Sequence, residues 1–430
     1  MNPAGLHEPA LRERDTAVSS LPPDTAPAPA GSRLFRSFWM GGFEGADHVN
    51  SHGVALDMHE SCGHAGRIGE DFRLAAVHGL TTLRESIGWR RAEPRPGRYD
   101  FRRALAMAQN ARINGVQIIW SLMHYGTPPD VSLLDDSLIP RFAWFAAAAA
   151  SALAPLHDDS HPPIYNPINE IGFLAWAVTS TRLIHPHGPP EGVHVGTVES
   201  GYNVKRRLVK ATLAAMEAIR EVDPRARFLQ IEPMVHVVPP ADRPELASLA
   251  QQISDYQWQV WDMLAGRMAP ELGGSPEALD LIGINHYHDG QWEALTEKRL
   301  HWHERDPRRR PLSGFLADNW QRYGRPLILA ETGHFGAGRA AWLDEVASEV
   351  HRAHGHGVPV EGICLYPLTD RHDWNTPSHW HHSGLWDASP HDLATPATVL
   401  PRTRLLHNEL AATLNLWRER LPGLDLKGMS

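Results

Sequence analysis

Short apolar runs alternate along the chain with longer segments of helical periodicity, starting at residue 34. Most of the runs are continuous rather than alternately apolar and polar, which is typical of parallel strands buried on both faces. The eight predicted strands cover residues 34–42, 81–89, 116–125, 163–171, 227–234, 279–288, 326–335 and 362–369.

The segments between these runs predict helices. Residues 202–222 place their apolar side chains near one face, and the helix is expected to end before Asp223-Pro224. Residues 101–113 show the same pattern. Eight strands alternating with helices predict an α/β fold, the (β/α)8 TIM barrel with long βα loops. An open doubly wound sheet is the alternative, but no G-x-G-x-x-G motif follows the first run.

The chain divides into three segments that differ in composition and in apolar periodicity. Residues 1–32 are rich in Pro, Ala and Ser and have no apolar periodicity, which is typical of a disordered leader. Because they lack the continuous apolar segment of a secretory signal, we expect a cytoplasmic protein. Residues 33–420 are predicted to form a single barrel domain, and residues 421–430 a flexible tail.

The composition narrows the function classes. A formal net charge of −9 argues against nucleic-acid binding, which needs a basic surface. Cys62 and Cys364 match neither a disulfide framework nor a thiolate zinc site. No apolar run reaches 18 residues, so no membrane span is expected. What stands out is 27 His and 15 Trp, which point to either metal or sugar binding.

Polar residues follow the predicted strands, where a barrel carries its catalytic groups. They are Glu44, Arg84, His124, Asn169, Glu170, Glu232, Asn285, His286, Tyr287, His288, Glu331, Asp370 and Asp373. A carboxylate after an apolar run is costly to bury unless it is paired or functional. An ion pair or cap would explain any single one of them, but their convergence on one rim predicts an active site.

Glu170 and Glu331 each end an apolar run, on the fourth and seventh predicted strands. In a closed barrel these positions face each other across the mouth. Retaining glycoside hydrolysis needs two carboxylates about 5 Å apart, one as nucleophile and one as acid/base. Arg84 and Tyr287 are the candidates to hold the nucleophile in its charged form.

The strand-end motifs, in their order, resemble those of glycoside hydrolase family 1, a family of clan A. The segments that carry the resemblance are TTLRESIGWRRAEPRPGRYDF, SLMHYGTPP, NPINE, GINHYH, LAETG and YPLTDRHDWNTPSHWHHSGLWD. The resemblance implies a TIM-barrel β-glycosidase with Glu170 as acid/base and Glu331 as nucleophile. It implies that Arg84 and Tyr287 support the nucleophile.

The same resemblance implies a set of sugar-binding residues. Asn169 would bind the 2-hydroxyl, and His124, Asp373 and Trp374 would bind the non-reducing sugar.

Other positions depart from the family pattern. Glu44 lies near the place of a first-strand Gln, while Tyr125 and Tyr366 replace Trp residues of the third and eighth strands. Asp373 is shorter than the family's Glu. These changes leave the reaction intact but alter the sugar contacts, so we expect a divergent relative.

The histidines suggest a metal site as an alternative. The densest cluster is His372, His379, His381 and His382. A zinc hydrolase built on a barrel would typically carry His-x-His after its first strand, and here that place reads FEGAD. Neutral imidazoles serve sugar hydroxyls equally well, so we expect no metal in the site.

The leading hypothesis is a retaining exo-β-glycosidase that acts on small carbohydrates or glycosides such as β-glucosides or β-galactosides. No cofactor is expected, because positioned carboxylates supply the chemistry. A transglycosylase using the same covalent intermediate, a catalytically inactive sugar-binding relative and a metal-dependent barrel hydrolase are the alternatives. The sequence leaves the oligomeric state open.

Overall fold

A computed structural model describes residues 34–158, 160–186, 199–389 and 403–421. The leader predicted for residues 1–32 lies outside the described residues, as does the predicted tail from residue 422 onward. The division of the chain into leader, barrel domain and tail therefore stays a prediction.

Eight parallel strands close into a barrel in which each strand pairs with its neighbours in sequence and β1 pairs with β8. The strands are β1 (Trp39–Gly42), β2 (Thr82–Ser86), β3 (Gln117–Met123), β4 (Ile164–Ile168), β5 (Arg227–Pro233), β6 (Leu281–Asn285), β7 (Leu327–Thr332) and β8 (Val360–Leu365). The predicted TIM barrel is confirmed, and the open doubly wound sheet is excluded.

Helices surround the barrel, most of them between successive strands and the last one after β8. They are Met58–Ser61, Ile68–Val77, Trp89–Ala92, Arg102–Asn114, Leu138–Leu153, Ile171–Ser180, Gly201–Val222, Ala247–Asp255, Gln259–Leu264, Leu312–Tyr323, Arg339–Gly355 and Asn408–Arg420. The predicted helices at 101–113 and 202–222 are each shifted by one residue at most. Several predicted strands were too long. The first begins at Trp39 rather than at residue 34, and the sixth ends at Asn285 rather than at residue 288. Buried side chains such as Phe35, Phe38 and His286 continue beyond the strand ends, so the sequence pattern does not mark the boundary.

Apolar side chains fill the inside of the barrel. Met40, Ile119, Leu229, Ile328 and Cys364 belong to one buried cluster there. A second, larger cluster lies between the strands and the outer helices. The barrel is therefore a packed core with its polar groups confined to the strand ends, as this fold requires.

The helix Leu138–Leu153, with the short turn that continues it to Leu156, is long and apolar enough to span a membrane by length and composition. Pro140, Arg141 and Ser151 interrupt this helix, so the sequence has no uninterrupted apolar run of 18 residues even though the helix passes by average composition. One such helix is weak evidence for a membrane span. Its Phe142 and Phe145 are buried in the larger core cluster, which explains the apolar composition by packing.

A buried ionic cluster, which we call the His64 cluster, attaches the outer layer to β2. It consists of His59, His64, Asp71, Glu85 and Arg404. His64 lies 2.8 Å from Asp71 Oδ2 through Nδ1 and 2.9 Å from Glu85 Oε1 through Nε2. Arg404 contacts both oxygens of Asp71 at 2.8 Å, which fixes the segment before the last helix.

The charges of the His64 cluster depend on one another. Burial by itself would lower the pKa of His64, but the carboxylates of Glu85 and Asp71 raise it from 6.5 to about 9. The pKa values of Asp71 and Glu85 are lowered, although burial opposes this, by Arg404 and by the histidines. Folding therefore favours His64 as a cation between two carboxylates.

We predict that His64→Gln lowers stability by about 3 kcal/mol near neutral pH, because it leaves buried carboxylates without their cation. The folded pKa of His64 is about 9, above its ordinary value of 6.5. Its stabilising contribution is therefore complete below the ordinary value and is lost as pH rises through the folded one.

Thermal unfolding midpoints measured from pH 6 to pH 10 check this. The difference between the parent protein and His64→Gln should shrink with rising pH, while the exposed control His356→Gln follows the parent. A difference that does not change with pH would contradict the assignment.

Candidate active site

Glu170 and Glu331 lie at the same end of the barrel and are both buried. Glu331 is the second-to-last residue of β7, and Glu170 follows the end of β4 by two residues. The negative charge of Glu331 raises the pKa of Glu170, so the two carboxylates interact electrostatically. The barrel thus brings together the two glutamates singled out in the sequence.

The carboxylate of Glu331 has a donor on each oxygen. Arg84 Nη1 donates to Oε1 at 2.6 Å, and the Tyr287 hydroxyl donates to Oε2 at 2.8 Å. Both contacts stabilise the negative charge. Arg84 and Tyr287 therefore lie where the sequence expected the supports of a nucleophile.

Glu170 also accepts a hydrogen bond on each oxygen, but from neutral donors. Asn285 Nδ2 donates to Oε1 at 2.8 Å, and the Tyr125 hydroxyl donates to Oε2 at 2.6 Å. Burial and the nearby charge of Glu331 raise the pKa of Glu170 from 4.5 to about 7, against the effect of these donors. Such a carboxyl group exchanges its proton near neutral pH, as a general acid/base must.

Asn169 connects the surroundings of the two glutamates. Its Oδ1 accepts from Arg84 Nη2 at 3.0 Å. Its Nδ2 lies 3.1 Å from the Tyr125 hydroxyl and 3.3 Å from His124 Nε2. Since an arginine only donates, the amide orientation is determined, and the Asn169 NH2 group donates to both of its other partners.

Two residues of this site have a strained backbone. Tyr125 has φ +80° and Glu170 has φ +47°, a region that side-chain-bearing residues rarely adopt. Each such residue costs of order 1–3 kcal/mol, and the surrounding structure must enforce it. Here the backbone N–H of Glu170 donates to the carbonyl of Ile231 on β5 at 3.1 Å, which holds the residue where β4 meets the next helix.

Glu232 fixes the helix that starts after Glu170. Its carboxylate accepts from the backbone N–H of Gly172, at 2.9 Å from Oε2 and 3.2 Å from Oε1. Burial raises the pKa of Glu232 to about 8. A Cβ atom at position 172 would lie 2.5 Å from Oε2, so the glycine allows the carboxylate to approach.

The side of the site next to β1 contains Glu44 and Tyr366. Glu44 Oε2 lies 3.3 Å from Arg371 Nε, and burial raises the pKa of Glu44. The Tyr366 hydroxyl accepts from the backbone N–H of Gly45 at 3.2 Å, and its ring lies 5.2 Å from the Arg84 guanidinium. A Cβ atom at Gly42 would lie 2.6 Å from the Tyr366 ring, which explains why β1 ends there without a side chain.

Trp374 and Asp373 follow β8 but have different surroundings. The Trp374 ring lies 5.9 Å from that of Tyr125 and 4.7 Å from that of His48. Asp373 turns into its own loop, where Oδ1 accepts from the backbone N–H groups of Asn375 and Thr376, both at 2.9 Å. The hydrogen bonds of Asp373 therefore belong to its own loop rather than to the other site residues.

The predicted histidine cluster does not converge on one point. His372 contacts the carbonyl of Asp373 at 2.8 Å and the hydroxyl of Ser61 at 2.7 Å. His382 instead lies with Asp370 and Asp387, and within the described residues these three could offer ligand atoms less than 4.8 Å apart.

Asp387 already makes two hydrogen bonds to Arg339, at 2.8 and 3.1 Å. His382 Nδ1 lies 3.2 Å from Asp370 Oδ2. These ion pairs hold the loop after β8, while Asp370 Oδ2 itself has no hydrogen-bond partner within the described residues.

Sequence reasoning missed the roles of several residues. The sequence marked Asn285 only as a polar residue at the end of a strand. Its position at the same barrel end as Glu170 is the signal that could have predicted their hydrogen bond. Tyr125 was expected to bind sugar, yet its hydroxyl contacts Glu170. His48 carried no signal, because it lies in a loop of no periodicity; it is buried, and neither ring nitrogen has a hydrogen-bond partner in the described part of the chain.

The fold is similar to that of solved glycosidases. A family 1 β-glucosidase from Thermotoga maritima matches with a TM-score of 0.67 and 16% identity, over 90% of this chain and 98% of that one. A β-glycosidase from Thermosphaera aggregans matches with a TM-score of 0.63 and 16% identity, over 83% and 85%. A hyperthermophilic β-glucosidase mutant matches with a TM-score of 0.66 and 16% identity, over 89% and 100%.

No family model matches the sequence. No curated protein matches it either. At 16% identity, these solved structures show that the chain shares their fold, the (β/α)8 barrel.

Proposed function

We propose that the protein is a retaining exo-β-glycosidase. The observation that carries the proposal is the unequal environment of two buried carboxylates at one end of the barrel. Glu331 contacts a guanidinium and a phenol, whereas Glu170 has neutral donors and a pKa raised to about 7. One charged carboxylate beside one that can hold a proton is the arrangement that double displacement requires.

The first half-reaction forms a bond between a carboxylate oxygen of Glu331 and the anomeric carbon. The bond between that carbon and the glycosidic oxygen breaks, and Glu170 gives its proton to the departing oxygen. The contacts of Arg84 and Tyr287 support Glu331 as the nucleophile, because they stabilise charge and make it a poor general base for water.

The second half-reaction reverses these roles. Glu170, now ionised, takes a proton from water while the water oxygen attacks the anomeric carbon. The bond to Glu331 breaks, and the sugar leaves with its original configuration. An alcohol in place of water would give transglycosylation by the same steps.

The proposed substrates are small β-glucosides and β-galactosides. The solved structures that share the fold include β-glucosidases, one of them in complex with glucoimidazole. The side toward β1 and β8 carries groups that can bind hydroxyls, namely Glu44, His48, His124 and Trp374. Neutral imidazole suits this task, and burial lowers the pKa of both His48 and His124.

We predict that Glu331→Gln lowers the turnover of aryl β-glycosides at least about a thousandfold, because the neutral amide is a very poor nucleophile. Initial rates on glucoside, galactoside, mannoside, xyloside and fucoside substrates measure this. The surface variant Glu217→Gln makes the same chemical change at an exposed position and should behave as the parent enzyme. A folded Glu331→Gln with near-normal turnover would refute the assignment.

Glu170→Ala tests the acid/base. Substrates with activated aryl leaving groups should still form the covalent intermediate, while its hydrolysis slows strongly for lack of a base. Azide, an anion that needs no base, should restore turnover and give a β-glycosyl azide, detected by NMR. An α-glycosyl azide would show that no covalent intermediate forms, and would point to inversion. A parent protein that binds sugars but cleaves none of the panel would indicate a binding protein.

The pKa of Glu170 predicts the basic limb of the pH profile. A general acid must be protonated, so kcat/KM should fall as pH rises through about 7, the value to which burial raises this pKa. Measurements of kcat/KM from pH 4 to pH 9 check this. A profile that stays level to pH 9 would remove Glu170 from the acid role.

A further inference from the structure

A chain of hydrogen bonds joins the two glutamates of the site. Arg84 Nη1 donates to Glu331 at 2.6 Å, and Arg84 Nη2 donates to Asn169 Oδ1 at 3.0 Å. Asn169 Nδ2 lies 3.1 Å from the Tyr125 hydroxyl, which in turn lies 2.6 Å from Glu170 Oε2. The Tyr125 hydroxyl is thus the last link between the guanidinium and the proposed acid/base.

The direction of this chain is determined by its first member. Arg84 has only donors, so the oxygen of Asn169 must face it and the NH2 group must face Tyr125. The Tyr125 oxygen accepts from Asn169, and its one remaining hydrogen-bond partner within the described residues is Glu170 Oε2, which receives the Tyr125 proton. That oxygen of Glu170 is then an acceptor whether or not the carboxyl group is protonated.

The other oxygen of Glu170 is not restricted in this way. Asn285 Nδ2 donates to Oε1 at 2.8 Å, while Asn285 Oδ1 is buried and makes no hydrogen bond within the described residues. Rotation of this amide would turn a donor into an acceptor. A proton on Oε1 can therefore be donated to the rotated Asn285 amide oxygen. A proton on Oε2 would instead point at the hydroxyl proton of Tyr125.

We propose that Tyr125 is a positioning residue that keeps Glu170 Oε2 as an acceptor, so that Oε1 gives and takes the catalytic proton. This proposal rests on the proposed glycosidase function. The strained backbone of Tyr125, with φ +80°, supports it, because the residue is held in an unfavourable conformation at the place where its hydroxyl meets Glu170.

Tyr125 also affects how readily Glu170 holds its proton. The titratable or charged side chains that face Glu170 are Glu331, Arg84, Glu232, Tyr125 and Tyr287. Glu331 raises the pKa of Glu170, and Arg84 and the Tyr125 hydroxyl lower it. Removing the hydroxyl should therefore raise that pKa further.

The variant Tyr125→Phe tests the proposal. We expect the basic limb of kcat/KM to move up by about one pH unit, which corresponds to the loss of one strong hydrogen bond to the carboxylate. We also expect kcat to fall about tenfold for poor leaving groups and less for activated aryl groups, since the proton is no longer confined to one oxygen.

Tyr287→Phe is the matched control. It removes a hydroxyl from Glu331 instead of Glu170 and should reduce activity without an upward shift of the basic limb. Near-UV circular dichroism and the thermal midpoint establish that both variants are folded.

A second measurement does not depend on turnover. Carboxyl ¹³C NMR of glutamate-labelled protein follows the titration of Glu170, whose signal is identified by its loss in Glu170→Gln. A raised Glu170 pKa in Tyr125→Phe supports the proposal. An unchanged Glu170 titration together with an unshifted basic limb overturns it and leaves the glycosidase assignment standing. A parent protein inactive on every substrate refutes that assignment, whatever the titration shows.

Discussion

Arg84 is a buried cation at the barrel mouth, and the surrounding site residues supply its hydrogen-bond acceptors and its counter-charge. Its guanidinium donates to Glu331, to the carbonyl of Ala330, to Ser121 and to Asn169. These partners lie on or directly after three different strands, β3, β4 and β7. A buried charge is costly without partners, so the strands around it must keep their relative positions. The same contacts orient the groups around both glutamates.

Arg84 and Glu85 show how one strand can serve two purposes. Successive side chains of a strand point to opposite faces, so Arg84 points into the barrel mouth and Glu85 points outward to the His64 cluster. Arg84 belongs to the candidate site, and Glu85 connects β2 to the outer helices through the His64 cluster. Two neighbouring charged residues in the sequence therefore have unrelated roles.

The two glutamates differ because their neighbours differ in charge. Glu331 faces a cation and a phenol, and Glu170 faces an amide and a phenol. Burial is common to both and by itself favours the neutral form. Glu331 is paired with the Arg84 guanidinium, whereas Glu170 accepts from neutral groups and burial raises its pKa to about 7. This difference underlies the proposed roles of nucleophile and acid/base.

The sequence by itself determined the barrel, because eight apolar runs separated by helical segments have few other ways to bury both faces of a parallel sheet. It also indicated which strand ends are polar, and hence Glu170, Glu331 and Arg84. Only the tertiary structure decided which side chains are in contact. The Tyr125 hydroxyl donates to Glu170, Asp373 accepts from the backbone of its own loop, and the histidines after β8 do not converge on one point. Loop conformation depends on contacts between residues far apart in sequence, which no local pattern records.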